Sequence, residues 1–543
     1  MNADAATAPI TVEQIDAAVA ARNMDLAIEL AQKAFAQGLE HPSVLNLVAY
    51  KLELDERIPE ALEVLGRALR QDPNDAYILN SIGVCHSKQD QPLEALKAFD
   101  RAIALEPGLA HAHNGRGLAL GAIGDRAGSR AAQQRAAALD PGFPEPLGAL
   151  AALAAEDKQW DEARALADRA LALDPEQPAA AMAMAAVENE AGEYASAAAR
   201  MRRLIAGGRL TRLHLAGAEN LLADALEALG QYEDAMKAYI VANRELRAAQ
   251  LPALNAKELG VDTCRRLIAY FEDAPAEAWR PAPETIRPGQ EAGHVFLVGF
   301  ARSGTTLLEQ ILASHPSIVA LEEKPTLDAA MAEFFDENAG LDRLAELTEA
   351  QADLWRERYW QVVREFGVEP AGKVFVDKLP LHTIYLPLIA KLFPRAKVLL
   401  ARRDPRDVVV SCFRRRFRPN PLVIEFTDLE RTAQVYAGAM RLAEIYREKL
   451  TLPIHVHRHE DLIDDLDGVT QDICAFLGLP WDARMRDFVE TANRRDIRTP
   501  SAGQVRQGLN RQGVGHWRKY GATIDPIKPV LAEWVKAFGY PEN

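Results

Sequence analysis

The 543-residue sequence has no run approaching the 18 apolar residues of a membrane span, so no transmembrane helix is expected. Its opening, MNADAATAPITVEQ, carries neither a basic region nor an apolar core. A signal peptide is therefore not expected, and the cytoplasm is the expected location. Cysteine is scarce: Cys85, Cys264, Cys412 and Cys474 are scattered without metal-ligand spacing. Buried thiols in a reducing compartment follow, rather than a disulfide framework or a zinc site. Positive charge is in deficit, with a net charge of -15. That excludes a general nucleic-acid or anionic-membrane binder. Any anion site must be a local basic pocket in an acidic protein.

What is present is the composition of a globular protein, 48% apolar and 26% charged. A chain this long exceeds one core, so at least two domains are expected. In the first half a period stands out. Pro73, Pro107, Pro141 and Pro175 are 34 residues apart, as are Arg67, Arg101, Arg135 and Arg169, and Ala68, Ala102, Ala136 and Ala170. Each unit reads as two amphipathic helices joined by a turn. Small residues (Gly83, Gly117, Ala151, Ala185) recur where helices must approach. The pattern resembles the tetratricopeptide repeat, covering roughly residues 8 to 245. The resemblance implies an all-α superhelix with a concave surface that holds an acceptor peptide or protein, or serves only as a spacer or dimerisation element. Asn80, Asn114 and Arg116 are candidates for polar contacts there. Residues 1–250 are assigned to this array. Residues 251–290 read as a helix followed by a linker with Pro275, Pro281, Pro283 and Pro288. Residues 291–543 form the second domain.

That second domain is organised around VFLVGFARSGTTLLEQILASHP, Val295 to Pro316. A short apolar run reads as a buried strand, small residues allow a tight loop, and Leu307, Leu308, Ile311 and Leu312 recur at helical spacing. Such a loop aims backbone N–H groups and a helix dipole at an anion. A nucleoside-triphosphate loop reads GxxxxGK[ST]. Here Gly299 and Gly304 keep the spacing, but Thr305 replaces the lysine, which speaks against a kinase. Arg302, Ser303, Thr305 and Thr306 suit a phosphate without a metal-bridged triphosphate tail. Further strands are read at 373–378, 397–402 and 454–458, alternating with helical patterns. This is an α/β, P-loop-like domain with a parallel sheet, whose ligands bind beyond the carboxyl ends of the strands.

The residues just past those ends resemble the sulfotransferase superfamily, and within it the protein-tyrosine sulfotransferase branch, over about residues 292 to 540. Three motifs carry the resemblance: ARSGTT at the loop, RRDPRDVVVS with Arg403 and Ser411 eight residues apart, and the late segment TPSAGQVRQGLNRQGVGHWRKY. The resemblance implies transfer of a sulfuryl group from 3′-phosphoadenosine 5′-phosphosulfate (PAPS) to an acceptor hydroxyl, most closely a protein or peptide tyrosine, with no metal required. The loop residues Arg302, Ser303, Gly304, Thr305 and Thr306 would take the 5′ side. Arg403, whose guanidinium can grip a phosphate in a fork, Ser411 and Arg415 would take the 3′-phosphate. Glu323 matches the family's general base, next to Glu322, and which of the two acts is left open. Lys378 matches the lysine that stabilises the leaving group, and Ser501 a serine that helps hold the transition state. Arg302 would also touch the transferred group.

Bland readings stand beside these. Arg403 could pair with Asp404 or Asp407, and Glu322 and Glu323 could merely cap a helix beginning near Pro325. His315 and His382 could replace a glutamate base but sit in no matching motif. His455, His457 and His459 alternate as if on one strand face, more consistent with packing than with a metal. A sulfotransferase for a small-molecule, carbohydrate or lipid hydroxyl, or an inactive nucleotide-binding adaptor, remains open, as do the natural acceptor, a homodimer and the ligand of the repeats.

Overall fold

A computed structural model describes residues 9–208, 210–280, 292–370, 372–495, 497, 499 and 502–542. The chain divides into two compact units, Met1–Leu229 and Gly230–Asn543.

The first unit is an all-helical repeat array. Its first-of-pair helices begin at Pro42, Ala76, Ala110, Pro144 and Pro178, and their partners at Ile58, Pro92, Arg126, Trp160 and Tyr194, so the 34-residue period is a structural period. The small residues sit where expected. Gly83 and Gly117 are buried, and Ala151 and Ala185 are fully buried. A Cβ on Gly83 would lie 2.6 Å from the Phe99 ring, and one on Gly117 2.6 Å from Gln133 Nε2. Close helix approach therefore excludes a side chain at both. Arg116 is paired with Asp100 at 2.6 Å, and Asn80 and Asn114 are half-buried.

The second unit begins with the helix Tyr232–Gln250, which bonds into it. Asn243 Nδ2 donates to the Phe413 carbonyl at 2.7 Å, and Arg247 to the Ile424 carbonyl at 2.9 Å and to the buried Glu425 carboxylate. The helix expected after residue 251 runs Gly260–Asp273. Most of the proline-rich linker, residues 281–291, lies outside the described residues.

The core of this unit is a five-stranded sheet: β1 (Gly293–Val298), β2 (Ile318–Glu322), β3 (Val374–Lys378), β4 (Lys397–Arg402) and β5 (Ile454–Arg458). Every pairing is parallel and the order is β2-β3-β1-β4-β5. Phe296, Leu297, Phe375, Val376, Leu399 and Leu400 are fully buried, as befits parallel strands covered on both faces. Strand β2 was not foreseen. The connection from β1 runs to β2 on one side of the sheet, and that from its neighbour β4 runs to β5 on the other. A crevice opens at the carboxyl ends of two such strands, and the loop after β1 lies in it.

Candidate functional site

The loop after β1 leads into the helix Thr305–Ala313. Gly304 has φ 97°, and a Cβ there would lie 2.4 Å from His459 Nδ1, so both backbone and space require glycine. Arg302 has φ 69° and Glu323 φ 42°. Besides Asn255, these are the non-glycine residues with left-handed backbone among the described residues of the second unit. Left-handed backbone costs a side-chain-bearing residue on the order of 1 kcal/mol and gathers at functional sites.

Around the loop, cations gather. Arg302 Nε donates to Ser411 Oγ at 3.0 Å, and its terminal nitrogen to Gln504 Oε1 at 3.0 Å. Burial, with the charges of Arg415 and Arg403, pushes the Arg302 guanidinium down to about 9. It is still a cation at neutral pH, but one whose neighbours repel it. Arg403, only 8% exposed, donates to the Arg302 carbonyl at 3.1 Å and to the Gly513 carbonyl. Its acidic neighbours are otherwise engaged. Asp404 is held by Arg406 at 2.7 Å, and Asp407 accepts the N–H groups of Gly515 and Trp517 at 2.7 and 2.9 Å. Arg403 thus forms no ion pair with either acid.

Arg302, Gly304, Thr306, Arg403, His459 and Gln504 line one cleft. Arg403 Nε, Ser303 Oγ and His459 Nδ1 are buried there or beside it without a hydrogen-bond partner among the described residues. Burial, then the charges of Arg403, His457 and Arg302, hold His459 well below its ordinary value, so it is neutral at pH 7. Orphaned buried donors are costly and rare in proteins. One is a guanidinium on the cleft and one a hydroxyl in the loop between the lining residues Arg302 and Gly304, the chemistry of a phosphate or sulfate receptor.

Lys378 and Glu323 do not line that cleft; they meet beside it. Lys378 ends β3, with Glu322 as its register partner on β2. Its Nζ lies 2.6 Å from Glu323 Oε1, 3.4 Å from Glu309 Oε2 and 3.6 Å from Glu322 Oε1. Burial alone would depress this ammonium, but Glu309, Glu323 and Glu322 outweigh it and hold Lys378 above its usual value. The two groups are tied together. Glu309 stands on the helix that starts at Thr305, the Gly299 N–H donates to the Pro380 carbonyl just past Lys378 at 3.0 Å, and Thr383 Oγ1 donates to the Gly299 carbonyl at 2.6 Å.

Behind the pair runs a buried hydrogen-bond chain. Asp377 Oδ2 accepts from Thr326 Oγ1 at 2.7 Å and Tyr359 Oη at 2.8 Å, and Tyr359 Oη is 2.9 Å from His294 Nε2. Burial pushes Asp377 up to about 6, against the pull of these two donors. Thr326 lies three residues past Glu323, so Asp377 anchors the backbone that carries the acid.

Most of the expected residues converge, in two adjoining groups. Glu322 and Glu323 cap no helix, since the next one begins at Asp328. Ser501 lies outside the described residues. Arg415 enters through its charge on Arg302. His459 opens the short helix His459–Asp464 rather than continuing β5, so only His455 and His457 alternate on the strand. Sequence reasoning missed Glu309, Arg495, His459, Gln504 and Gly513 as site residues. Of the late segment, Gln504 and Thr499 (3.3 Å from Thr306 Oγ1) reach the loop, and the Gly513 carbonyl accepts from Arg403. Among the described residues no group of three His, Cys, Asp or Glu is placed to hold a metal, and no helix is long and apolar enough to cross a membrane.

Comparison with known proteins agrees with this architecture. A sequence model described as Sulfotransferase family matches residues 294–483, and one described as Tetratricopeptide repeat matches residues 12–76. An uncharacterized protein of Aquifex aeolicus is 27% identical over 48% of this chain and 36% of its own length. Protein-tyrosine sulfotransferase 1 of Danio rerio is 28% identical over 45% of this chain and 72% of its own. Nodulation protein NoeE of Sinorhizobium fredii is 28% identical over 46% and 66%. The chain therefore spans about a third of the Aquifex relative and about two thirds of the others. It joins tetratricopeptide repeats to a sulfotransferase-family domain.

Proposed function

We propose that the second unit moves a sulfuryl group from PAPS to an acceptor hydroxyl, that of a protein or peptide tyrosine, with the repeats presenting the acceptor. The observation that carries this reading is the pair of buried, unpaired groups on one electropositive cleft, Arg403 Nε and His459 Nδ1, with Arg302 lining the same cleft and the unpaired Ser303 Oγ in the adjoining loop. A nucleotide bearing phosphates at both ends of its ribose supplies what these groups lack. The loop from Ser303 to Thr306 takes the 5′ side through its N–H groups and hydroxyls. Arg403, Ser411 and Arg415 take the 3′-phosphate. Arg302, at the meeting point, contacts the transferred group.

In the reaction a bond forms between the acceptor oxygen and sulfur while the bond from sulfur to the 5′-phosphate oxygen breaks. The acceptor proton passes to Glu323, because a phenol of pKa about 10 does not give it up unaided near neutral pH. Lys378 carries the negative charge that gathers on the departing oxygen. Ser501 keeps the transition-state role that the family resemblance implies. The tyrosine acceptor is favoured by the carboxylate base and by the tyrosine-sulfotransferase relatives at 24–28% identity over two fifths or more of this chain.

The test is incubation of the purified protein with sulfur-labelled PAPS and acidic tyrosine peptides, small phenols and saccharides side by side. Label on peptide tyrosine, lost in Glu323→Ala by at least about 10²-fold while nucleotide binding persists, is the expected result. Label only on the small hydroxyls would overturn the acceptor assignment. Tight nucleotide binding without any transfer would overturn the enzyme.

A further inference from the structure

Glu309 has no part in the chemistry described so far, yet its side chain is fully buried. It stands on the helix after the loop, with Oε2 3.4 Å from Lys378 Nζ and Oε1 3.0 Å from a terminal nitrogen of Arg495. It accepts no hydrogen bond of ordinary geometry among the described residues. Arg495 is itself fixed, donating to the Ala320 carbonyl of β2 at 2.9 Å and to Gln310 Oε1 at 3.2 Å. A buried carboxylate is costly unless cations offset it. Here the offset comes from Lys378 and Arg495 together.

An ammonium has three N–H donors, and three carboxylates surround this one. To serve a departing oxygen, Lys378 must give one of them up. Exposure decides which. The Glu323 side chain is 39% exposed, so water and an acceptor can take it over, whereas that of Glu322 is 12% exposed and that of Glu309 0%. Glu323 must also leave for its own part: while its Oε1 accepts the Lys378 N–H at 2.6 Å, that oxygen is occupied and is not open to the acceptor's proton.

We propose that Glu309 is a positioning residue that keeps Lys378 paired and aimed while the lysine exchanges Glu323 for the departing oxygen, which frees Glu323 to accept the acceptor's proton. This rests on the transfer reaction proposed above. In the empty site Lys378 and Glu323 hold each other idle. Donor binding breaks their pair, and Glu309, backed by Arg495, is what prevents the lysine from following its old partner or losing its proton. The charged groups facing Lys378 are Glu309 on the loop helix, Glu322 and Glu323 at the end of β2, Arg495 behind Glu309, and Asp377 before it on β3.

Glu309→Gln keeps the volume and removes the charge. Full-length enzyme is assayed for kcat and for product-nucleotide affinity across pH, with one acceptor throughout. With one counter-charge gone the ammonium loses its proton more readily. The alkaline limb of kcat is therefore expected to move to lower pH by about one unit. At neutral pH kcat falls by about tenfold or more, with affinity within about threefold. Glu309→Asp, which keeps the charge but withdraws it, is expected to lower kcat with the limb in place. An unmoved limb in Glu309→Gln, or a loss confined to affinity, overturns the proposal. Should the glutamine variant not fold, a Glu309→Asp enzyme with wild-type kcat overturns it. A wild-type enzyme that transfers nothing removes the reaction itself, whereas an active wild type with indifferent variants removes only this inference.

Discussion

Replacing Arg403 by alanine removes a buried guanidinium that has no ion-pair partner among the described residues. In the empty protein it gives up two hydrogen bonds to carbonyls, of Arg302 and Gly513. At about 0.5–1.5 kcal/mol each, these set a stability loss of about 1–3 kcal/mol. No buried acid is orphaned, because Asp404 keeps Arg406 and Asp407 keeps two backbone N–H groups. The larger effect falls on the donor. A hydrogen bond to a charged group contributes about 1.5–3 kcal/mol, which is a loss of about 10- to 150-fold in donor affinity. Arg403→Lys restores the charge without the fork and falls between. The assay is titration calorimetry with two ligands, 3′,5′-bisphosphoadenosine and the analogue that lacks the 3′-phosphate. If Arg403 holds the 3′-phosphate, the penalty appears with the first and vanishes with the second. Equal penalties with both would refute the assignment and leave Arg403 a strut for the Gly513 segment.

Gly304→Ala places a Cβ 2.4 Å from His459 Nδ1 on backbone at φ 97°, so a loss of about 1–3 kcal/mol in stability is expected from thermal unfolding, and an unchanged midpoint would count against the described packing. Asp377, raised to about 6 in the folded protein, binds a proton there that the unfolded chain has already released. Its contribution to stability therefore declines as pH rises from about 4 to about 6, by at most about 3 kcal/mol, and Asp377→Asn should flatten that part of the stability curve. A chain beginning at Gly230 should fold and transfer sulfuryl groups to a small phenol. One beginning at residue 251 loses the bonds of Asn243 and Arg247 and should be less stable by about 2–5 kcal/mol in urea unfolding. Equal stability of the two would show that the helix Tyr232–Gln250 contributes nothing to the second unit.

The repeat period was legible because every unit solves the same packing problem at the same residues: Gly83 and Gly117 read as small, and they are small because Phe99 and Gln133 fill the space. The loop after β1 was legible for a local reason too, since strand, turn and helix follow one another within Val295 to Pro316. Strand β2 was not, because its five residues carry no period of their own and its Glu-Glu ending reads equally as a helix start. Glu309 was hidden in a different way. In TTLLEQIL it looks like the polar stripe of an amphipathic helix, and only the β3 and post-494 segments, distant in sequence, turn that stripe inward onto Lys378 and Arg495. His459 misled by alternation: the strand ends at Arg458, and the next residue turns toward Gly304. Charge pairs and cleft walls assembled from distant segments leave no periodic trace.

Arg302 and Glu323 both hold backbone that glycine would adopt freely. Glycine at either position would relieve on the order of 1 kcal/mol of local strain, partly offset by the freedom it gives the unfolded chain. A library of variants sorted for heat resistance alone would therefore drift toward glycine at 302 and 323 and discard the guanidinium and the carboxylate together. Selecting hardier versions of this protein requires a turnover screen run in parallel.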